Sequence, residues 1–262
     1  MKITTWNVNS LTARLQHVLD WLAANPVDVL CLQELKLTED KFPLMALQEA
    51  GFTHCAVFGQ KTYNGVAILS RAPLDGVVRN IDGLDDPASR VIGATLALPS
   101  GPLRIVNAYF VNGQAPGSEK FAYKMAWLDG LQRHMAEELR RHPRLVLLGD
   151  FNIAPEDRDS YDPVGLHETI HHSTPERAHF QQLLALGLVD SFRLFEQPEK
   201  SFTWWDYRML GYQKNRGLRI DHILVSEPLR AAVRACSIDR TPRKWKQPSD
   251  HAPVTVTLAL EP

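Results

Sequence analysis

Six places in this 262-residue chain set amide or acidic side chains against apolar, strand-like runs. Asn7 and Asn9 follow the first run, and Gln33-Glu34 follow Val29-Leu30-Cys31-Leu32. Tyr109 and Asn112 come after Ile105-Val106-Asn107-Ala108, while Gly149-Asp150-Phe151-Asn152 come after Leu145-Val146-Leu147-Leu148. Asp221 lies inside Leu218–Val225, and Ser249-Asp250-His251 stand just before Val254–Leu260. Taken singly, each has a plain structural reading: Asp150 with Asn152 or Ser249-Asp250 as a turn, Asn7 as a partner for backbone groups. Six together resist that reading, because four acids brought to one rim repel unless a cation or a basic ligand compensates.

Hard oxygen donors without Cys suit Mg²⁺ or Mn²⁺ rather than Zn²⁺, and Mg²⁺ takes one or two carboxylates while keeping waters for a phosphate. Glu34 and Asp250 supply that number. Phosphodiester hydrolysis also needs an oriented water and donors for the charge that grows on the nonbridging oxygens. Asp150 is the candidate to orient or deprotonate the water, with Asn152, Asn7, Tyr109 and His251 as donors. His251 is the strongest of these as an imidazolium, provided a carboxylate such as Asp221 holds it charged and fixed.

Strands must carry these groups out of an apolar interior. Period-two or continuous apolar runs predict them at Lys2–Trp6, Val27–Gln33, Thr53–Phe58, Val66–Ser70, Val91–Leu98, Leu103–Tyr109, Leu145–Leu148, Arg219–Val225 and Val254–Leu260. Helical periodicity predicts Thr12–Ala24, Ser118–Arg141, and a third helix from Thr174-Pro175-Glu176 to a stop at Gly187. The Asp- and His-rich stretch Glu156–Ser173 reads as a long loop. With no Ser/Gly linker or charge block, one domain of sheets flanked by helices is expected over residues 1–262.

Composition agrees with an ordinary globular protein: 44% hydrophobic, 23% charged, and without an apolar run near the ~18 residues that span a bilayer. The start, Met1-Lys2-Ile3-Thr4-Thr5-Trp6, lacks a secretory h-region, so no membrane role and a cytoplasmic address are expected. Cys31, Cys55 and Cys236 cannot all pair and read as reduced packing residues. Net charge is −1, yet Lys200 to Lys246 holds eleven Lys and Arg against four acids, a local +7 that leaves −8 for the remainder. Trp204, Trp205, Tyr207, Tyr212 and Trp245 interleave with it, as a surface that tracks phosphates and stacks on bases would require.

Trp6-Asn7-Val8-Asn9-Ser10-Leu11, Leu32-Gln33-Glu34-Leu35-Lys36, Tyr63-Asn64-Gly65-Val66 and Ser70-Arg71 carry the first half of a resemblance. Tyr109-Phe110-Val111-Asn112, Gly149-Asp150-Phe151-Asn152-Ile153-Ala154, Leu218-Arg219-Ile220-Asp221 and Ser249-Asp250-His251-Ala252-Pro253 complete it. In order and spacing these are similar to the exonuclease III / apurinic-apyrimidinic endonuclease family, within the wider endonuclease/exonuclease/phosphatase superfamily. Phe202-Thr203-Trp204-Trp205-Asp206-Tyr207-Arg208 and Lys214-Asn215-Arg216-Gly217-Leu218-Arg219 resemble its DNA-repair branch.

The resemblance implies an α/β fold, a four-layered α/β sandwich of two packed mixed β-sheets flanked by helices, with the site at one edge. It implies that Glu34, Asp250 and Asn9 hold Mg²⁺ (or Mn²⁺). Asn7, Tyr109, Asn152 and His251 fall on phosphate-binding positions, Asp150 on the nucleophile-activating one, and Asp221 on the partner of the histidine. Arg90, Lys61, Tyr63 and Asn112 become DNA contacts, Trp204 and Phe202 the lining of a sugar pocket, and Met209 an apolar wedge. The implied partner is duplex DNA with nicks, 3′ ends or abasic sites, met by a monomer.

The chain departs from relatives that cut internal abasic sites in Gly165-Leu166-His167-Glu168-Thr169-Ile170-His171-His172-Ser173. Bulky imidazoles after the catalytic Asp150 and Asn152, His167 first among them, would obstruct continuous duplex. A metal-dependent DNA-repair phosphodiesterase that leaves a 3′-hydroxyl and favours 3′ ends over internal abasic sites is therefore expected. A nucleic-acid-binding regulator without catalysis is the first rival, though the rim lacks none of its acids. A phosphatase of lipid headgroups or inositol phosphates is the second, opposed by Trp204-Trp205 and the basic final third.

Overall fold

A computed structural model describes residues 1–261. Two six-stranded mixed sheets lie face to face. The first runs in the order Val233–Ile238, Val254–Leu258, Lys2–Asn7, Val29–Gln33, Val66–Ser70 and His54–Phe58. The second runs Leu74–Arg79, Val91–Leu96, Leu103–Tyr109, Leu145–Asp150, Asp221–Ser226 and Leu188–Asp190. Helices α1 (Leu11–Ala24) and α2 (Leu44–Glu49) cover the first sheet, and α3 (Glu119–Arg141) and α4 (Thr174–Ala185) cover the second.

Strands buried on both faces explain the continuous apolar runs, since neither side of such a sheet meets water. In Leu145–Leu148, Val146 and Leu148 enter the core between the sheets with Ile3, Val29, Ile105 and Val256. Leu145 and Leu147 point the other way, to Leu128, Leu131, Phe180 and Leu183 of the helices. The expected four layers follow from this alternation. Cys31 and Cys236 are buried and Cys55 is half-buried, all free thiols. No helix among the described residues is long and apolar enough to cross a membrane.

Two parallel pairs fix where the polar strand ends meet. Lys2–Asn7 pairs parallel with Val29–Gln33 across α1, setting Asn7 beside Gln33. Leu103–Tyr109 pairs parallel with Leu145–Asp150 across α3, setting Tyr109 beside Asp150. Asp221, first residue of an antiparallel strand, also faces Asp150. Just inside this rim Gln33 Nε2 donates to Asn107 Oδ1 of the opposite sheet at 2.7 Å, and Asn107 Nδ2 returns to the Leu32 and Ala67 carbonyls at 2.9 Å. A buried amide bridge of this kind fixes the register between sheets that apolar packing alone leaves loose.

The predicted helices form within a residue or two, and Gly187, at φ 97°, ends α4. Other elements give no periodic signal. Leu74–Arg79 is an exposed edge strand containing Asp75 and Gly76, and a register shift breaks the alternation of Val233–Ile238. The pair Trp204–Trp205 with Gly217–Leu218 is too short to read locally. The stretch expected as a plain loop after Glu156 contains a turn at Asp157–Asp159, anchored by Arg219 on Asp159.

Gly149 has φ 141°, and a Cβ there would stand 1.9 Å from the Ala108 carbonyl oxygen of the neighbouring strand. We expect Gly149→Ala to lower unfolding free energy by about 2–4 kcal/mol in urea titration; an unchanged midpoint would mean that the strands separate there at no cost.

Candidate active site

Asn7, buried at its strand end, donates one amide hydrogen to Glu34 Oε1 and the other to Asp150 Oδ2, both at 2.9 Å. Its carbonyl accepts the Ser249 hydroxyl at 2.6 Å, tying the first strand to the segment that carries Asp250 and His251. With both hydrogens committed, Asn7 orients two carboxylates. Its expected part as a phosphate donor does not fit this arrangement.

Asp150 is fully buried between fixed donors. Oδ1 accepts the Asn152 backbone N–H at 2.9 Å, and Oδ2 lies 3.7 Å from His251 Nε2. On its other side the His251 ring gives Nδ1–H to Asp221, 2.9 Å from Oδ2. Burial alone would lower the imidazole's pKa, but Asp221 and Asp150 outweigh it and hold His251 up at about 10. Burial pushes Asp150 up to about 7 against the pull of His251, with the negative charges of Asp221 and Glu34 adding to the rise. At neutral pH the cup thus contains an imidazolium facing a carboxyl group poised to ionise. Tyr109 stays protonated, because burial and then the charges of Glu34 and Asp150 raise its phenol well above the usual range.

Glu34, Asp150 and His251 offer ligand atoms within 4.8 Å of one another. An imidazolium has no free lone pair, so His251 is suited to an anion in this group and the carboxylates to a cation. Asp250, the expected partner of Glu34, is not part of it. Its oxygens accept the Trp204 indole N–H at 2.9 Å and the Asn9 amide at 3.0 Å. Between the two acids lies Lys36, whose Nζ is 2.9 Å from Glu34 Oε2 and 2.5 Å from Asn9 Oδ1. Carboxylate and amide oxygens that already cradle an ammonium form a donor set suited to a hard cation. Asn9, Glu34, Lys36 and Asn152 all have φ between 44° and 55°, a concentration of left-handed backbone at one place.

The loop after Asn152 brings His171, not His167, to the cup. His167 is 70% exposed and turns toward Glu168 at 4.0 Å. His171 is buried, with Nδ1 2.7 Å from the Asn152 carbonyl, Nε2 3.5 Å from Asn112 Nδ2, and its ring edge-on to Trp204. Burial pushes it down to about 4, so it is neutral, with Nδ1–H donating to the carbonyl. Residues four apart in one loop differ in environment, His171 standing at φ 67° with its ring buried and His167 exposed; nothing in the local sequence marks that difference.

Phe202 is a correction. It is fully buried with Trp205 and Ala252, fitted against the space left by Gly217, and cannot line a pocket open to DNA. Trp204 stays half-buried at the rim. Arg90 lies over the Tyr109 ring with its carbon 5.1 Å from the centroid. Tyr63 and Met209 are exposed by 68% and 74% and Lys61 is exposed, free to meet a partner, and Asn112 leans on Asn152 Oδ1 at 3.4 Å. The basic stretch is partly internal: Arg219 is buried on Asp159 and Asp190, and Arg243 on Trp205, Tyr207 and Tyr212. Lys36, Ser249 and His171 went unassigned from sequence; Lys36, two residues from Glu34, and Ser249, next to Asp250, lie close to assigned acids in the chain, and His171 does not.

The pattern of the Endonuclease/Exonuclease/phosphatase family matches residues 4–251. Exodeoxyribonuclease III of Haemophilus influenzae is 34% identical, over 97% of this chain and 98% of its own. The structure is similar to that of a 3′ phosphatase from Neisseria bound to a product DNA hairpin, at 52% identity and TM-score 0.94, covering 98% of this chain and 99% of that one. It is similar also to an AP endonuclease from Archaeoglobus fulgidus, at 34% identity and TM-score 0.92, covering 99% and 100%. With such coverage from end to end, the chain belongs to the endonuclease/exonuclease/phosphatase family, in its exonuclease III and AP endonuclease group.

Proposed function

We propose that this protein is a metal-dependent DNA-repair nuclease that hydrolyses phosphodiesters to leave a 3′-hydroxyl and acts by preference at 3′ ends. The observation that carries the reading is Asp150 and His251 at 3.7 Å in a buried cup, each held by a further acid or amide. A regulator without catalysis would have no use for a carboxyl group raised to about 7 beside an imidazolium.

Glu34, with Asp250 and Asn9, would hold Mg²⁺ or Mn²⁺, taking the place that the Lys36 ammonium fills. Such an ion neutralises phosphate charge and steadies the leaving oxygen. The chain's own groups do the rest. Asp150, as carboxylate, accepts a proton from the attacking water, and Asn7 together with the Asn152 N–H keeps its plane fixed. His251 Nε2–H and the Tyr109 hydroxyl donate to the nonbridging oxygens, where negative charge grows. The second Asn152 amide hydrogen, now on a long 3.5 Å contact with Asp150 Oδ2, is available to the same oxygens.

The preference for ends rests on His171, which occupies the space between Asn152, Asn112 and Trp204. Incision at internal abasic sites is the second reading, favoured by the likeness to the archaeal AP endonuclease.

Labelled duplexes carrying a nick, a 3′-phosphate or an abasic analogue, each with and without chelator, test the whole reading. Turnover should vanish with chelator and return with Mg²⁺ or Mn²⁺; chelator-resistant turnover, or none on any DNA, would refute it. Asp150→Asn and His251→Ala should each lower kcat by about 10²–10⁴-fold. The wild-type rate should rise with pH through a limb at or below 7, as Asp150 ionises, and fall near 10 as His251 loses its proton. Asp221→Asn should bring the alkaline limb down by about one pH unit or more, and an unmoved limb would remove His251 from the role. Because φ 67° suits glycine, His171→Gly should raise abasic incision relative to 3′-end removal by about tenfold or more without unfolding the loop. A constant ratio would detach the preference from His171.

A further inference from the structure

Beneath the cup lies a buried ion pair that the hydrolytic chemistry leaves unused. Lys124 of α3 and Glu176 of α4 are both fully buried and paired through Nζ and Oε1. The other ammonium hydrogens go to the carbonyls of Asn152 at 2.8 Å and Asn112 at 3.2 Å. Glu176 also accepts the backbone N–H of His171 at 3.0 Å and caps α4 through Ser173. One charged pair thus ties the turns after two strands to the loop that carries His171.

Stability is a poor explanation for it. Desolvating two charges offsets most of their attraction, and apolar residues of equal volume commonly do as well. What the pair fixes is direction. Asn152 has left-handed backbone, and two donors on its carbonyl, Lys124 Nζ and His171 Nδ1, hold the following peptide plane. Its N–H in turn holds Asp150 Oδ1, and its side chain spans the Phe110 carbonyl and Asp150 Oδ2. A shift of Asn152 out of this position would carry its N–H and side chain away from the Asp150 carboxylate and loosen its aim, and displacements near 1 Å in such sites cost about 10²-fold in rate.

We propose that Lys124 is a positioning residue, whose ammonium, neutralised by Glu176, holds the Asn112 and Asn152 turns so that Asp150 stays aimed into the cup. The inference rests on the reading of Asp150 given above. It places the effect on kcat, because both side chains of the pair are fully buried and cannot themselves meet DNA.

The test compares two buried pairs, each with one member on α3. Lys124→Met with Glu176→Gln removes the first charge pair while Gln keeps the Ser173 cap. Arg104→Met with Glu138→Gln removes a second, bonded at 2.6 Å near the other end of α3. On a 3′-end substrate the first variant should lose about tenfold or more in kcat with KM within about threefold, and the second should keep wild-type kcat. In an Asn152→Ala background the Lys124 pair should add less than about twofold, since its route to Asp150 is already cut. Equal losses from both pairs, or a full loss in that background, would overturn the proposal. Lys124→Gln, which keeps a donor, carries the same comparison if the pair variant does not fold. The side-chain amide resonances of Asn112 and Asn152, recorded without substrate, should move in the Lys124 variants alone. An inactive wild type would sink the hydrolase reading, while these resonances would still decide the positioning.

Discussion

Two carboxylates on either side of one imidazolium, nearly out of reach of water, set the terms for this molecule. Asp221, His251 and Asp150 are each buried, and each alone would be costly. Together they nearly balance, but one charge is left over, and burial, with the negative charges of Asp221 and Glu34 added, raises Asp150 toward neutrality against the pull of His251. The surrounding amides exist to hold that imbalance in place. Asn7 ties Asp150 to Glu34, Thr203 accepts the Asp221 N–H at 3.0 Å, and Ser249 fixes the His251 backbone at 3.2 Å.

Bringing these groups together is a task for the sheets. Parallel pairing sends Asn7 with Gln33, and Tyr109 with Asp150, out at the same end of the sandwich, and the Gln33–Asn107 amide bridge locks one sheet to the other just below. Loops alone would place the carboxylates with less accuracy, since backbone without a ladder drifts. The left-handed residues that crowd the rim are local strain that the packed strands beneath are rigid enough to sustain.

Most of this was legible in sequence, for a definite reason. Strands buried on both faces print unbroken apolar runs, so their polar ends stand out, and Asn7, Glu34, Tyr109, Asp150, Asp221 and His251 were all visible as interruptions. What could not be read were directions and long-range fits. Phe202 and Trp204 sit two residues apart, yet only the pairing with Gly217–Leu218 sends one to the core and the other to the rim. That Asn9 and the Lys36 ammonium link Glu34 to Asp250 was likewise invisible in the chain. Nothing near Lys124 in the chain marks it for burial, since the partners that hold it lie 12 to 52 residues away.

Lys36 gives the molecule a private counter-ion. A rim of acids that waited for a divalent ion before it could close would make assembly hostage to the metal supply. An ammonium already seated between Glu34 and Asn9 relieves that dependence. The chain thus supplies from within itself a positive charge at the place where its acids and amides converge.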